Sequence, residues 1–333
     1  MKLSNLLMVL FVVCLATGCI KEDTDSCPPP HNVTLHLNYV YHGSNNQFSQ
    51  RVENVRLSLF DMSGNLVATY FKNSADLKSS SIALNLDPGD YRLVCWGNVL
   101  SNTDVRENNT LNASRVFHTQ RSNGEASNGD PLFYAPRMRN LNNPNSDMLT
   151  ITVPEDGGVV EKDIDFTAAH KTVEVLVTGF SDRGNINPII EFNNIPSGYN
   201  FTLGTLPDLL MEYTQTGTFE TRSQNFVEAR TQNPSGATRS QSLSTATRAQ
   251  EYSVTTFYLP LFDVNTPIEL SIIRPSSGAV VHTISLNDYL VENGISLTHG
   301  DWDQINMLVE FSDLGAVVSV KPWEGSSVTP GTN

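Results

Sequence analysis

The chain has 333 residues, enough for two domains, and its net charge of −14 argues against a nucleic-acid partner. Only 17% of it is charged, while 39% is hydrophobic and 32 residues are asparagine. This composition excludes a coiled coil and a disordered acidic chain, and it favours an all-β protein with long polar loops.

The first segment indicates export. Lys2 precedes an apolar run at residues 6–16, which is shorter than the ~20 residues that cross a bilayer as a helix. The LATGC sequence at residues 15–19 resembles the lipobox of bacterial lipoproteins, where the signal is cut before an acylated cysteine. An ordinary signal peptide that contains a cysteine is the alternative. We expect a signal peptide at 1–18, then a lipidated linker at 19–30 that begins with Cys19.

The linker carries signals for membrane attachment and surface export. Two or three acyl chains such as palmitate on Cys19 would hold the protein stably at a membrane. Lys21, Glu22 and Asp23 are similar to the export signal of surface lipoproteins in the Bacteroidetes, although a plain solvated linker has the same composition. We therefore expect a protein anchored by lipid in the outer membrane and exposed at the cell surface.

Two cysteines remain after processing. Cys14 leaves with the signal and Cys19 takes lipid, so Cys27 and Cys95 are left in an exported chain, where an even pair usually forms a bond. We expect a Cys27–Cys95 disulfide, and the alternative is two buried free thiols. No cysteine and histidine spacing in the sequence suits a metal.

In the first half, period-two alternation predicts strands at residues 31–41, 55–60, 66–71, 81–86, 91–96, 148–153 and 158–166. The turn at 61–65 superficially resembles a calcium loop, but it lacks the terminal acidic ligand, so a hairpin is favoured. In the strand at 91–96, Cys95 and Trp96 lie on opposite faces. Residues 101–145 predict a long insertion with one short helix. The first domain is expected at 31–160.

In the second half, strands are predicted at residues 170–180, 189–194, 201–206, 251–261, 268–273, 279–286, 303–311 and 317–323, with a helical turn at 287–291. These form a second domain at 161–324, followed by a polar tail at 325–333. Residues 221–250 are so polar that we expect a mobile loop, with proteolysis near 232–250. A faint repeat relates residues 56–70 to 269–284, each a strand, a Ser-Gly turn and a strand.

The sequence offers little catalytic chemistry. It has no H-E-x-x-H, G-x-S-x-G or phosphate-binding loop, and we expect no enzyme activity, no cofactor and no metal. His170 is interpreted as an edge or loop residue rather than a general base. Asp301 and Asp303 flank Trp302 as in a sugar site, but a capped turn with a core tryptophan is the favoured interpretation.

Three blocks carry a family resemblance: FDMSGNLV at 60–67, LDPGDYRLVCWGN at 86–98 and PLFY at 131–134. With the lipobox and the nearby cysteine, they resemble the fimbrial anchor and accessory-subunit lipoproteins of Bacteroidales. The resemblance covers nearly all of the mature chain, and the LDPGDYRLVCWGN block is its most specific part.

The resemblance implies two tandem transthyretin-like (Greek-key) β-sandwiches and a non-catalytic role in anchoring or terminating a surface fimbrium. Its implied partners are fimbrial stalk subunits, bound by β-strand donation to an exposed sheet edge. Residues 33–40 and 317–320 are the edges we expect to accept a strand. The alternative is a surface glycan-binding lipoprotein, which would expose Trp96, Trp302 or Trp323.

Overall fold

The computed structural model describes residues 31–41, 45–119, 128–136, 148–206, 209–227, 245–262, 265–295, 304–312 and 315–319. Within these ranges the chain forms 21 strands and two short helices, which confirms the all-β prediction. The predicted signal peptide, the linker, Cys19, Cys27 and the polar tail lie outside the described residues.

The elements of the first half are β1 (Val33–Asn38), α1 (Phe48–Arg51), β2 (Asn54–Asp61), β3 (Leu66–Asn73), β4 (Ser81–Leu84), β5 (Gly89–Gly97), β6 (Thr103–Arg106), β7 (Arg115–His118), β8 (Phe133–Ala135), β9 (Leu149–Val153), β10 (Val160–Asp165) and β11 (Thr167–Ala168). Those of the second half are β12 (His170–Thr178), β13 (Ile189–Pro196), β14 (Gly198–Asn200), β15 (Leu210–Thr216), β16 (Thr218–Val227), β17 (Thr245–Pro260), β18 (Glu269–Ile273), β19 (Val280–Ser285), α2 (Leu286–Glu292), β20 (Gln304–Ser312) and β21 (Gly315–Ser319).

The N-terminal sandwich encloses one core between two sheets. One sheet has the order β10-β1-β4, and the other has the order β11-β8-β5-β2-β3, with β9 also paired to β5. Alternation in β1 buries every second residue, because one face of the strand packs inward. The two sheets contribute the buried side chains of Val33, Leu35, Leu37, Leu57, Leu59, Leu93 and Cys95.

The N-terminal core extends further along the chain than the expected boundary at 160/161. Strand β10 pairs in parallel with β1, from Val33 opposite Val160 to Asn38 opposite Asp165. Phe166 and Ala168 belong to the same core. Because both β10 and β11 complete the N-terminal sheets, the change of core falls after Ala168.

The C-terminal sandwich repeats the plan with longer strands. Its sheets have the orders β16-β17-β12-β20-β21 and β15-β13-β18-β19. Between them lie inward-facing residues such as Val173, Val175, Phe192, Phe257 and Met307, all fully buried. Helix α2, at the predicted helical turn, is capped by Ser285, whose hydroxyl accepts a hydrogen bond from the Asp288 N–H at 3.3 Å.

Two predictions made from polar composition are wrong. Residues 101–119 and 128–136, expected to be an insertion with a helix, hold β6, β7 and β8 and no helix. Both ends of the expected loop, at 221–227 and 245–250, belong to a hairpin, since β16 pairs with β17 from Thr218 opposite Val254 to Val227 opposite Thr245. Residues 228–244 lie outside the described part of the chain.

The two sandwiches share a small sheet. Strand β14 of the second half pairs with β7 of the first, and β7 pairs with β6. Gly198 allows β14 to lie close to β7, because a Cβ at this position would be 1.9 Å from the Val116 carbonyl oxygen. Gly129, at a φ of +75°, meets the second sandwich equally closely, with the Tyr258 carbonyl oxygen 2.2 Å from where a Cβ would be.

An aromatic cluster fills the junction beneath this sheet. The Trp96 ring lies 4.9 Å from that of Tyr134 and 5.6 Å from that of Tyr199, so residues of both halves pack together. The Tyr134 hydroxyl donates to the Phe201 carbonyl at 3.0 Å, and the Tyr199 hydroxyl donates to the Ala169 carbonyl. These buried contacts join the two sandwiches into one packed body.

Candidate functional site: the sheet edges

The outermost strand of each sheet leaves backbone N–H and C=O groups without a neighbouring strand. Such edges accept a further strand unless charge, proline, a bulge or a covering segment protects them. Among the described residues, the sheets of the two sandwiches end at β10 and β4, at the two-residue β11 and β3, at β16 and β21, and at β15 and β19. These edge strands are therefore the candidate partner surfaces.

The first strand is not one of them. Residues 33–38 form β1, which pairs with β10 on one side and with β4 on the other. The prediction that residues 33–40 offer an open edge is therefore wrong. The alternation correctly identified a half-buried strand, but no local pattern reveals that residues 160–165 return to pair along its outer side.

The last strand is an edge. Strand β21 pairs with β20 from Leu308 opposite Ser319 to Ser312 opposite Gly315, and it ends its sheet in the part of the chain that the structure describes. The side chain of Val317 is 60% exposed. This agrees with the prediction for 317–319, while residue 320 lies outside the described ranges.

Strand β10 is an edge that charge protects. Glu161, Lys162, Asp163 and Asp165 are all exposed, and Glu161 faces His36 of β1 at 3.9 Å. Desolvating this row of charges against an incoming strand costs more than its backbone hydrogen bonds return. We therefore set β10 aside as a docking edge.

Strand β3 lacks that protection over most of its length. Its residues alternate between half-buried and exposed, and the exposed set is Val67, Thr69, Phe71 and Asn73, with no charge among them. The backbone N–H of Leu66 donates to the Asn109 carbonyl at 2.8 Å, so a neighbouring segment covers only the start of the edge. The following turn covers the end of the edge, because the Asn73 N–H donates to Asp76 Oδ2 at 3.3 Å and the Asn73 carbonyl accepts from the N–H groups of Asp76 and Leu77. Lys72 adds a half-buried charge beside it.

A half-buried ion pair between Arg56 and Glu107 lies on the outer face beside β3. Glu107 accepts from Arg56 Nε at 3.1 Å and Nη2 at 2.8 Å, and also from the hydroxyls of Ser58 and Thr69. Burial would raise the pKa of the Glu107 carboxyl, but these hydrogen bonds and the Arg56 charge together hold it below its usual value. Glu107 is therefore a charged structural clamp that ties β2 to β3.

The equivalent hairpin of the second half ends at β19. Strands β18 and β19 are joined by the Ser-Gly turn of the predicted repeat, as β2 and β3 are, and both hairpins end a sheet. Val280 on β19 is 56% exposed, as is Phe71 on β3. The repeat is thus a repeat of edge position as well as of sequence.

The predicted disulfide does not involve a sheet edge. Cys95 is wholly buried in the N-terminal core, where burial raises the pKa of its thiol to about 12. Cys27 lies outside the described residues, so the disulfide stays a prediction. Because no reagent reaches a buried sulfur, only alkylation after denaturation without a reductant distinguishes a bonded Cys95 from a free one.

His170 is part of the junction. It is buried at the start of β12, and its Nδ1–H donates to the Leu132 carbonyl at 2.8 Å. Its ring lies between those of Phe133 and Tyr258, at 5.6 and 5.5 Å. The prediction of an edge or loop position is therefore wrong, and the residue packs where a substrate does not reach.

Sequence reasoning missed His118. It lies in the segment interpreted as a polar insertion, yet only 4% of it is exposed. Neither ring nitrogen has a hydrogen-bond partner among the described residues, and the ring of Tyr213 lies 5.9 Å away. Burial, with a smaller contribution from the charge of His170, lowers the pKa of His118 to about 4.

Trp96 is fully buried, while Trp302, Trp323, Asp301 and Asp303 lie outside the described residues. The described ranges hold no group of three or more His, Cys, Asp or Glu side chains placed to hold a metal ion. None of their helices is long and apolar enough to cross a membrane. Residues 61–65 form the hairpin turn, with Gly64 at a φ of +85°.

An open sheet edge can accept a strand from another chain. The sequence profile of the fimbrillin-A associated anchor proteins Mfa1 and Mfa2 matches residues 24–328. The chain therefore belongs to this family, which associates it with the cell-surface fimbrium. No curated protein sequence matches it.

Solved structures share the fold. A candidate adhesin from Bacteroides thetaiotaomicron is 15% identical with a TM-score of 0.60, covering 88% of this chain and 97% of the other. A candidate polysaccharide-binding protein of the same species is also 15% identical, with a TM-score of 0.59, and the match covers 88% of this chain and 99% of the other. The fimbrial anchor protein Mfa2 from Porphyromonas gingivalis is 15% identical, with a TM-score of 0.53, and the match covers 86% of this chain and 95% of the other. At sequence identities this low, the structural similarity establishes a shared fold and nothing further.

Proposed function

We propose that the protein is a non-catalytic, lipid-anchored subunit that holds or terminates a fimbria at the outer membrane and binds fimbrial subunits through its sheet edges. The observation that carries the proposal is the family match over nearly the whole chain. Unprotected edges on two firmly joined sandwiches support it, because strand pairing needs an open edge on a rigid frame.

The lipid part of the proposal depends on residues outside the described ranges. Cys19 follows the apolar run after Thr17 and Gly18, and Cys14 lies inside the run. Acyl chains on Cys19 supply the membrane attachment, and Lys21, Glu22 and Asp23 supply export to the cell surface. The two-domain division, with its boundary moved to Ala168, forms part of the same proposal.

Two cysteine variants expressed in cells that assemble the fimbria test the anchor. Cys19→Ala removes the acylated residue, and we expect fimbriae to be shed into the medium and the signal peptide to stay attached. Cys14→Ala is the matched control in the removed segment, and it should retain fimbriae normally. Mass spectrometry of the mature N-terminus and the shed fraction of fimbriae are the measurements. Wild-type retention in Cys19→Ala would contradict the anchor role.

Glycan binding is the second candidate, and the name of one structural neighbour supports it. Sugar sites use exposed aromatic faces, and Trp96 is fully buried among aromatic side chains. Trp302 and Trp323 are the remaining candidates of the predicted set. If replacing both with Ala abolished adhesion to a polysaccharide-coated surface while leaving fimbriae on the cell, this candidate would displace the first.

A further inference from the structure

We propose that residues 320–333 fold back over the outer face of the β16-β17-β12-β20-β21 sheet, with Trp323 packed against that face. The outer face is the one turned away from the C-terminal core. The contact is made within one chain, so it goes beyond the proposed function and stands without it. The apolar side chains that it covers form the outer cluster, which consists of Leu176, Tyr252, Val254 and Leu308.

The outer cluster lies on the opposite side of the sheet from the core. In β12, β17 and β20 the core takes every second side chain, among them Val175 and Phe257. The outer cluster takes the intervening positions of the same strands. Leu176 lies opposite Val254 on one side and opposite Leu308 on the other. Three neighbouring strands therefore carry one continuous apolar patch.

This patch is covered by a segment outside the described ranges. Tyr252 is 1% exposed and Leu308 2%, values typical of a core. Among the described residues, the outer cluster contains side chains of this sheet alone. The N-terminal sandwich meets the sheet elsewhere, where the ring of His170 packs on that of Tyr258. Tyr258 lies six residues along β17 from Tyr252, which is roughly 20 Å at ~3.3 Å per residue.

The cover does not reach the whole outer face. Ser319 lies opposite Leu308 and therefore shares its face, and so does Val317, two residues earlier on β21. Val317 is 60% exposed. The covering segment therefore lies over the middle strands of the sheet and leaves Val317 bare.

The chain leaves the described ranges beside the outer cluster. Ser319, the last residue of β21, lies directly opposite Leu308. Crossing from β21 to β17 takes three strand spacings, roughly 14 Å at ~4.8 Å each. Four extended residues span about 13 Å at ~3.3 Å per residue. Trp323, four residues after Ser319, can therefore reach Val254 and Tyr252.

The composition of residues 320–333 suits an apolar face. Val320, Pro322 and Trp323 come first, and a polar stretch follows at 325–333. An indole packed over a tyrosine and aliphatic side chains buries a large apolar area. Trp323 then turns its face to the sheet, where it is not open to a glycan.

Two other long segments outside the described ranges adjoin this sheet. Residues 228–244 join β16 to β17 and hold one large aliphatic side chain, that of Leu243. Residues 296–303 join α2 to β20, which begins at Gln304, four residues from Leu308. The segment 320–333 instead starts at the outer cluster and holds three apolar residues among its first four, so it is the occupant that we assign.

Hydroxyl-radical footprinting of the full chain measures the cover, because a side chain is oxidised faster when more of it is exposed. We compare wild type with Val320→Ser/Trp323→Ser, and with Val328→Ser in the polar stretch as the matched control. In Val320→Ser/Trp323→Ser we expect Tyr252 and Leu308 to be oxidised roughly fivefold faster or more, since both lose their apolar cover. In Val328→Ser their oxidation should stay within about twofold of wild type, because the apolar residues of the segment are intact.

Acrylamide quenching provides a second measurement, which leaves residues 320–333 unchanged and stands if Val320→Ser/Trp323→Ser fails to fold. In a Trp302→Phe background, the fluorophores are Trp323 and the fully buried Trp96. Both should resist the quencher. Adding Leu308→Ser weakens the apolar contact and should make about half of the emission quenchable. Val317→Ser, on the same face but outside the cover, is the matched control and should leave the emission protected.

Three results would overturn the proposal. The first is unchanged oxidation of the outer cluster in a folded Val320→Ser/Trp323→Ser, or free quenching of Trp323 in the Trp302→Phe background. The second is oxidation that rises only in Leu297→Ser/Trp302→Ser, which would make residues 296–303 the cover. The third is protection that is lost on dilution, which would make a second copy of this chain the occupant. None of them affects the proposed function, which rests on the family match.

Discussion

His118 illustrates at the residue scale how burial couples a single imidazole to pH. Its pKa of about 4 in the folded protein lies below the ordinary value of about 6.5 expected of the unfolded chain. Between these values the unfolded state binds more protons than the folded state. Stability is therefore complete at neutral pH and falls as the pH is lowered through 6.5 towards 4.

We predict that His118 costs the protein about 2 kcal/mol of unfolding free energy at pH 5 relative to pH 7.5, from 1.36 kcal/mol per unit of pKa difference. Urea unfolding at the two pH values measures this loss. His118→Gln should lose less stability on acidification than the wild type does. Equal acid sensitivity in His118→Gln and wild type would refute the assignment.

At the scale of elements, the β16–β17 hairpin changes what a proteolytic cut would do. The sequence predicts cleavage near 232–250, which was expected to separate two resistant halves. Strand β17 instead pairs with both β16 and β12, so the connection between β16 and β17 lies inside one sheet of the C-terminal sandwich. A cut there leaves both fragments within the same sheet.

We predict that limited trypsin treatment cuts at Arg230 or Arg239 and gives two bands on a denaturing gel but one species in native size-exclusion chromatography. The fragments stay together because β17 contributes Phe257 and Leu259 to the C-terminal core. As a control, Arg230→Gln/Arg239→Gln should resist the cut under the same conditions. Fragments that separate without denaturant would mean that this pairing is weak.

Local alternation predicted most strands, because the side-chain period of two is written directly into the sequence. The β2–β3 and β18–β19 hairpins follow from their Ser-Gly turns for the same reason. It failed for β6 and β16, which pair with the next strand of the chain, and for β7, whose second partner β14 lies in the other half of the chain. The open edge of β3 was equally unpredictable, because whether a strand ends a sheet depends on which distant strands cover it.

At the scale of the whole molecule, the junction can be tested with two glycines of matched conformation. Gly129 and Gly157 have φ values of +75° and +78°, so alanine is strained at both. At Gly129 a Cβ would also lie 2.2 Å from the Tyr258 carbonyl oxygen, whereas at Gly157 nothing lies within 4 Å. Only the first substitution therefore pushes the two sandwiches apart.

We predict that Gly157→Ala lowers the free energy of unfolding by about 1 kcal/mol and Gly129→Ala by about 3 kcal/mol, since displaced backbone adds to the shared conformational cost. Urea denaturation followed by tryptophan fluorescence gives both values, and Trp96 at the junction is one of the reporting fluorophores. Losses of equal size would show that the contact between Gly129 and Tyr258 yields without cost.

The position of β1 in the middle of its sheet has a mechanical consequence. Under the proposed anchorage, tension between the membrane and the fimbria enters the fold at the N-terminal end of β1. A terminal strand at the edge of a sheet would detach by breaking its backbone hydrogen bonds one after another. Strand β1 instead has β10 on one flank and β4 on the other. A pull along its axis shears both ladders together, so the load is divided among many hydrogen bonds and the strand resists extraction.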